Sequence, residues 1–88
     1  MTIDSNLNDL IEQGRIDLAQ RLGMSVDEIV IKEVKAMEWK DASLGCPTRG
    51  VYYVQVVTPG YRIMLDAKGQ TYDYRTDGRR IFLCERGS

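Results

Sequence analysis

The densest block of β-branched and aromatic residues in the chain is Gly50-Val-Tyr-Tyr-Val-Gln-Val-Val-Thr-Pro-Gly-Tyr-Arg-Ile-Met-Leu-Asp66. Such residues favour strands, and Pro59-Gly60 divides the block into two parts. Val51 to Thr58 is apolar at both alternating sets of positions, which is typical of a strand covered on both faces or strongly twisted. Tyr61 to Asp66 alternates between apolar and polar residues, as a half-buried antiparallel strand does. We therefore predict two strands at the centre of a sheet.

A helix is predicted before this pair, because the apolar residues between Leu7 and Leu22 recur at helical spacing and form one face. Gly14 lies within that face, which indicates either a bend or, as we prefer, the close approach of a sheet residue to the helix backbone. Gly23 is expected to end the helix in the left-handed conformation. Ser25 and Glu28 have the spacing of a capping box, which predicts a short helical turn before the first strand.

The remaining chain predicts further strands separated by loops and tight turns. Ile29 to Trp39 indicates a long strand whose apolar positions change phase, which a bulge near Lys32-Glu33 would explain. Lys40 to Arg49 is a predicted loop, and two more strands are predicted over Gln70 to Arg75 and Arg80 to Glu85. The fold class is therefore α+β, with one N-terminal amphipathic helix packed on a mainly antiparallel sheet of about five strands in meander order.

Length and composition set limits on the architecture. A chain of 88 residues predicts a single domain over residues 1–88. The chain is 43% hydrophobic and 28% charged with a net charge of −1, a balance typical of folded domains and not of polyanion-binding proteins. No stretch is long and apolar enough to predict a membrane span. The first residues lack the basic and apolar regions of a signal peptide, so the default expectation is a cytoplasmic location.

The chain lacks the residues that most catalytic sites need. The chain has no histidine, which removes Ser-His-Asp and Cys-His nucleophilic sites together with histidine-ligated metals. Two cysteines are too few for the common structural zinc sites, and no nucleotide-binding motif occurs. We therefore predict no enzyme activity, no metal and no cofactor. Tyrosines interleave with arginines from Arg49 to Arg75, but packing in strands explains them better than stacking on nucleotides, so a nucleic-acid partner is not expected.

Binding remains the leading functional hypothesis. Loops on a rigid scaffold and open sheet edges are the natural contact surfaces, so the expected partner is a protein or peptide and the expected state a monomer or weak dimer. Two alternatives stay open: a peptidase inhibitor that presents residues 43–48, and a thiol-dependent enzyme that uses Cys46. The predicted binding residues lie in the loop and on one strand, and they are Ser43, Leu44, Gly45, Cys46, Pro47, Arg49 and Arg62.

Four segments together carry a resemblance to a known family: Asp41-Ala-Ser-Leu-Gly-Cys-Pro, Thr58-Pro-Gly-Tyr-Arg-Ile, Tyr72-Asp-Tyr-Arg-Thr-Asp and Cys84. They resemble a family of small uncharacterised bacterial domains that are frequent in exported or lipid-anchored proteins. That family usually has histidine where this chain has Arg75, so no role of an imidazole carries over. The resemblance brings no known activity, but it implies paired cysteines.

The two cysteines are expected to pair with each other. A small domain with a limited core gains from a covalent crosslink, and the resemblance to exported domains favours a Cys46–Cys84 disulfide. An exported mature segment then becomes the alternative to a cytoplasmic location. Free thiols remain the alternative state, because a reducing cytosol would keep both cysteines reduced.

Overall fold

A computed structural model describes residues 3–85 of the chain. The predicted α+β class is confirmed, with one helix packed on a four-stranded antiparallel sheet in place of the five strands expected. The sheet order is β1-β2-β3-β4, so the meander order is also as predicted. The elements are α1 (Ile3–Leu22), a 3-10 turn (Val26–Glu28), β1 (Val30–Trp39), β2 (Thr58–Ala67), β3 (Gln70–Thr76) and β4 (Ile81–Leu83).

Helix α1 ends and packs as its residue pattern indicates. Gly23 adopts a φ of 65° directly after the helix, and Ser25 and Glu28 form both hydrogen bonds of the capping box. A Cβ atom on Gly14 would lie 3.1 Å from Cδ1 of Ile81 and 3.6 Å from Cδ2 of Tyr74. The close approach predicted at Gly14 is therefore confirmed, because a bare backbone lets α1 pack directly onto the sheet.

One stretch was assigned wrongly from the sequence. Val51 to Val57 forms no strand, whereas β2 begins at Thr58 and continues through Pro59-Gly60, where a break was expected. Gly60 explains this continuity, since a Cβ atom there would lie 2.0 Å from the carbonyl oxygen of Thr76. The glycine therefore permits close strand packing and does not make a turn.

Strand β1 carries the predicted irregularity. Its register against β2 shifts between Ile31 and Glu33, so Lys32 is the extra residue of a β-bulge. After the bulge, Val34 lies opposite Ile63 and Lys35 lies opposite Arg62. The bulge restores Val34 to the helix side of the sheet, which accounts for the change of phase in the sequence.

The core lies between α1 and one face of β2 and β3. Tyr74 is fully buried, and its hydroxyl donates a hydrogen bond of 2.7 Å to Oδ2 of Asp17 on the helix. Burial, reinforced by that carboxylate, raises the pKa of Tyr74. This face, called the helix face below, holds the main buried cluster of Ile11, Leu18, Ala19, Ile29, Ile63, Leu65, Ala67 and Tyr74.

Candidate functional site

A long connection between β1 and β2 is the candidate site. Residues 40–57 contain neither helix nor strand, and connections of this length inside small domains usually have a function. The connection has two parts, which differ in how they are held. We call residues 40–50 the anchored loop and residues 51–57 the apolar arm.

A disulfide fastens the anchored loop to the end of β4. Cys46 and Cys84 are bonded, with a sequence separation of 38 residues and Cα atoms 5.9 Å apart. The backbone turns sharply just before the crosslink, where Leu44 and Gly45 have φ values of 55° and 73°. Leu44 is fully buried by this turn, so the loop covers part of the face of the sheet opposite α1.

Arg75 joins the loop to the sheet at the centre of that opposite face. Its guanidinium lies 5.2 Å from the centroid of the Trp39 ring and donates a hydrogen bond of 2.9 Å to the carbonyl oxygen of Leu44. The residue is only 7% exposed, and it also forms an ion pair of 2.9 Å with Asp73. A planar cation suits these three partners at once, because it can stack and donate in its plane together. Arg75 therefore holds the loop in place.

Asp73 is shared between two arginines. Oδ2 of Asp73 lies 2.9 Å from Nη2 of Arg75 and 3.0 Å from Nη2 of Arg62. Burial by itself would raise the pKa of Asp73, but hydrogen bonds from Arg75 and Arg62 outweigh it and hold this pKa below its usual value. Arg62 is thus linked to the anchored loop through Asp73 and Arg75.

The residues predicted for binding fall into distinct environments. Ser43 and Leu44 are buried, and Cys46 is half-buried in the disulfide. Burial of the first two means that a partner could not contact their side chains in this conformation, as an inhibitory loop over residues 43–48 would require. Cys46 likewise presents no free thiol in this structure. The exposed members of the predicted set are Gly45, Pro47 and Arg49, while Arg62 is half-buried.

The apolar arm is the segment that the sequence predicted to be a strand of the sheet. The Tyr52 side chain is 99% exposed, and Val51, Val54, Val56 and Val57 are exposed as well. Hydrogen bonds attach it to the anchored loop: the carbonyl oxygen of Val54 accepts one of 3.0 Å from the Ala42 backbone, and the Tyr53 hydroxyl accepts one of 3.0 Å from the Thr48 backbone. The signal that predicted a doubly covered strand, apolar residues at both alternating sets of positions, would equally fit a segment that a partner covers.

Concave surfaces lie near these elements. One cavity of about 340 Å³ opens beside the disulfide and includes Thr48 and Tyr53 in its lining. Another, of about 380 Å³, lies between the end of β1 and the anchored loop and includes Trp39 and Pro47. A third, of about 440 Å³, runs between the C-terminal half of α1 and the ends of β3 and β4. Within residues 3–85 no cluster of three or more His, Cys, Asp or Glu side chains could hold a metal ion. The helix of this part of the chain is not long and apolar enough to cross a membrane.

Comparison with known proteins gives a family and no activity. Neither the curated proteins nor the solved structures contain a significant match to the chain. A family model described as a domain of unknown function, DUF8738, matches residues 11–84, which include the helix face, both cysteines and the entire connection between β1 and β2. The chain therefore belongs to the DUF8738 family.

Proposed function

We propose that this domain is a non-catalytic protein-binding module and that the apolar arm is its contact surface. The observation that carries the proposal is the exposure of five large apolar side chains within seven consecutive residues, with Tyr52 at 99%. Isolated apolar residues are common on protein surfaces, but clustered ones are typical of interaction sites. Tyrosine at the most exposed position fits this role, because its ring supplies apolar area and its hydroxyl a hydrogen bond.

The anchored loop supports the proposal because it restricts the conformations that the apolar arm can adopt before it binds. The disulfide and Arg75 fix one end of the connection, and the pairing of Thr58 with Trp39 fixes the other. A segment tied at both ends loses less conformational entropy on binding than a free one, so more of its contact energy appears as affinity. The buried residues of the anchored loop thus hold the exposed apolar arm in a restricted set of conformations, which favours binding.

The arm also indicates the chemistry of its partner. Its seven residues are uncharged, and all of them except Gln55 are β-branched or aromatic. Such a segment fits an apolar groove or the open edge of a sheet, where its free backbone groups would find partners. The expected ligand is therefore a protein with an apolar acceptor surface and not a charged small molecule.

Site-specific photo-crosslinking in extract from the native source tests the proposal. A photoreactive phenylalanine analogue replaces Tyr52 in one sample and Ile16, which is 46% exposed on α1, in the matched control. We expect discrete protein adducts from position 52 that position 16 does not give. Excess unlabelled wild-type domain should suppress them, and excess Tyr52→Ser/Val54→Ser should need about tenfold more protein to do so. No adduct at position 52, or equal competition by the arm variant, would show that the arm is not the contact surface.

A further inference from the structure

Strand β1 is an edge strand with unusual exposure. It stands first in the sheet order, and no strand among residues 3–85 pairs with its outer edge. Nine of its ten residues are exposed or half-buried, including the apolar side chains of Val30, Ile31 and Val34. Long edge strands with apolar side chains readily pair with another chain unless a protective feature prevents it.

The bulge at Lys32 does not protect this edge. Nζ of Lys32 lies 3.4 Å from Oγ1 of Thr71, so the side chain reaches back across β2 toward β3. Its ammonium group is therefore directed away from the free edge. From Glu33 to Trp39 the pairing with β2 is regular, which leaves a regular outer edge over the same residues.

Glu33 and Lys35 carry opposite charges on this strand, and Glu33 lies close enough to Arg62 for its charge to help raise the pKa of that arginine, after the larger effect of Asp73. Glu33 and Lys35 lie opposite Met64 and Arg62 of β2, which alternate with the buried Ile63 and so point to the face away from α1. Within the described residues neither forms an ion pair, and Lys35 directly faces the like charge of Arg62. Each would gain from an opposite charge placed across the free edge.

A second copy of the chain supplies those charges in one register. Consider two antiparallel copies of β1 related by a two-fold axis that is normal to the sheet and passes beside one residue, the centre. Each residue then lies opposite the residue of the second copy that is the same number of positions on the other side of the centre. With Val34 at the centre, Glu33 of each copy lies opposite Lys35 of the other copy. The dimer then contains two such pairs, both on the same face of the sheet. Centring on Lys32, Glu33 or Lys35 places like charges directly opposite, and centring on Ala36 places no two charged residues of β1 opposite each other. Of these five centres, only Val34 gives pairs of opposite charge without a pair of like charge.

We infer that the domain forms a two-fold homodimer by antiparallel pairing of β1 with β1 of a second copy, centred on Val34. The two sheets join into one sheet of eight strands, with both copies of α1 on the same face. The charge pairs select the register and exclude other strands, while the exposed apolar side chains of Ile31 and Val34 supply contact area. The apolar arms take no part in the pairing, so this dimer does not depend on the function proposed above.

Charge exchange tests the register directly. Glu33→Lys leaves two lysines at these positions and Lys35→Glu leaves two glutamates, so each single variant should dimerise at least about tenfold more weakly than wild type. An equal mixture of the two variants places opposite charges across the edge again and should form a heterodimer. The double variant Glu33→Lys/Lys35→Glu should recover the wild-type homodimer. Lys40→Glu, which makes the same charge change beyond β1, should dimerise as wild type does.

Sedimentation velocity of the full chain, at concentrations up to about 1 mM, provides the measurement. A wild-type protein that stays monomeric throughout this range would overturn the inference. So would single variants that dimerise as strongly as wild type, or a mixture that remains monomeric while both variants keep the wild-type circular dichroism spectrum. Because the arm residues are unchanged in all these variants, failure here leaves the crosslinking test of the arm unaffected.

Discussion

Individual arginines join parts of the chain that are distant in sequence. Arg75 donates to the carbonyl oxygen of Leu44, and Arg80 donates to that of Ala42. Arg15 of α1 donates to two carbonyl oxygens near the start of β1, at distances from 3.0 to 3.2 Å. Hydrogen bonds from a charged donor are stronger than neutral ones, and each guanidinium can serve several acceptors. The sequence contains no local signal for these contacts, since surface arginines with no such role look the same.

Leu18 and Ile16 form a matched pair for testing the helix. Leu18 is fully buried and Ile16 is 46% exposed, although both are large apolar residues on α1. Leu18→Ala should lower the free energy of unfolding by about 2 to 5 kcal/mol, because it removes buried contacts and leaves a cavity. Ile16→Ala should change it by no more than about 0.5 kcal/mol. Urea unfolding of the two variants checks this, and equal losses would mean that the buried face of α1 has been assigned wrongly.

At the scale of elements, the two faces of the sheet are stabilised by different kinds of contact. The helix face is held by apolar packing of α1 on β2 and β3. The opposite face has fewer buried apolar residues and depends on a disulfide, the stacking of Arg75 on Trp39 and hydrogen bonds to loop carbonyls. Polar and covalent contacts of this kind fix a defined geometry where a small domain lacks apolar residues for a second core. The connection is therefore held in place although it contains no regular secondary structure.

The disulfide should contribute a large share of the stability. Closing a loop with a sequence separation of 38 residues stabilises the folded state by about 4 kcal/mol on the chain-entropy model. Reduction should therefore lower the urea midpoint strongly, and the oxidised protein should be lighter by two hydrogen atoms in intact mass spectra. Cys46→Ala/Cys84→Ala is the control, because added reductant should not change its midpoint.

A midpoint of the wild-type protein that does not respond to reductant would contradict this expectation. The disulfide also bears on location, because disulfides are rare in compartments that keep thiols reduced. We therefore propose that the domain works in an oxidising compartment. Finding the protein with both thiols reduced in freshly lysed native cells, under rapid alkylation, would argue against that location.

For the whole molecule, the pH dependence of stability should follow the carboxylates held by arginines. Asp73 is one of these, and hydrogen bonds from Arg75 and Arg62 keep its pKa below the ordinary value of 3.8 despite burial. As the pH falls, the unfolded chain binds the proton first, so the stabilisation is complete above the ordinary pKa and is lost as the pH drops through the folded value. Wild-type stability should therefore decrease steadily below about pH 5.

The variant Asp73→Asn removes this titration. It should cost about 1.5 to 3 kcal/mol at neutral pH, because two arginines lose a charged acceptor. Its free energy of unfolding should also fall less steeply between about pH 5 and pH 3, by up to about 1.4 kcal/mol per pH unit. Urea titrations across this range measure the slope. A slope equal to that of wild type would show that Asp73 does not carry the acid sensitivity.

The error at residues 51–57 shows where sequence reasoning stops. Valine and tyrosine fit a pleated surface well, but a strand also needs a neighbour to bond with, and that neighbour is distant in sequence. In the structure β2 is already paired on both edges, by β1 and β3, and the register with β1 ends at Thr58. The residues before Thr58 thus continue past the sheet. High strand propensity without an available partner produced an exposed arm.

The sequence by itself determined the features that depend on neighbouring residues: α1 with its buried face, the capping box, the bulge at Lys32 and the left-handed Gly23 that follows the helix. It also located the loop over residues 40–49, although not the apolar arm that follows it, and, with the family resemblance, the cysteine pair. Only the tertiary structure decided that Leu44 is buried, that Arg75 and Asp73 hold the connection, and that Tyr52 is left exposed. The physical reason is range: helical periodicity, caps and turns are set within a few residues, whereas burial and pairing depend on which distant segments occupy the same space.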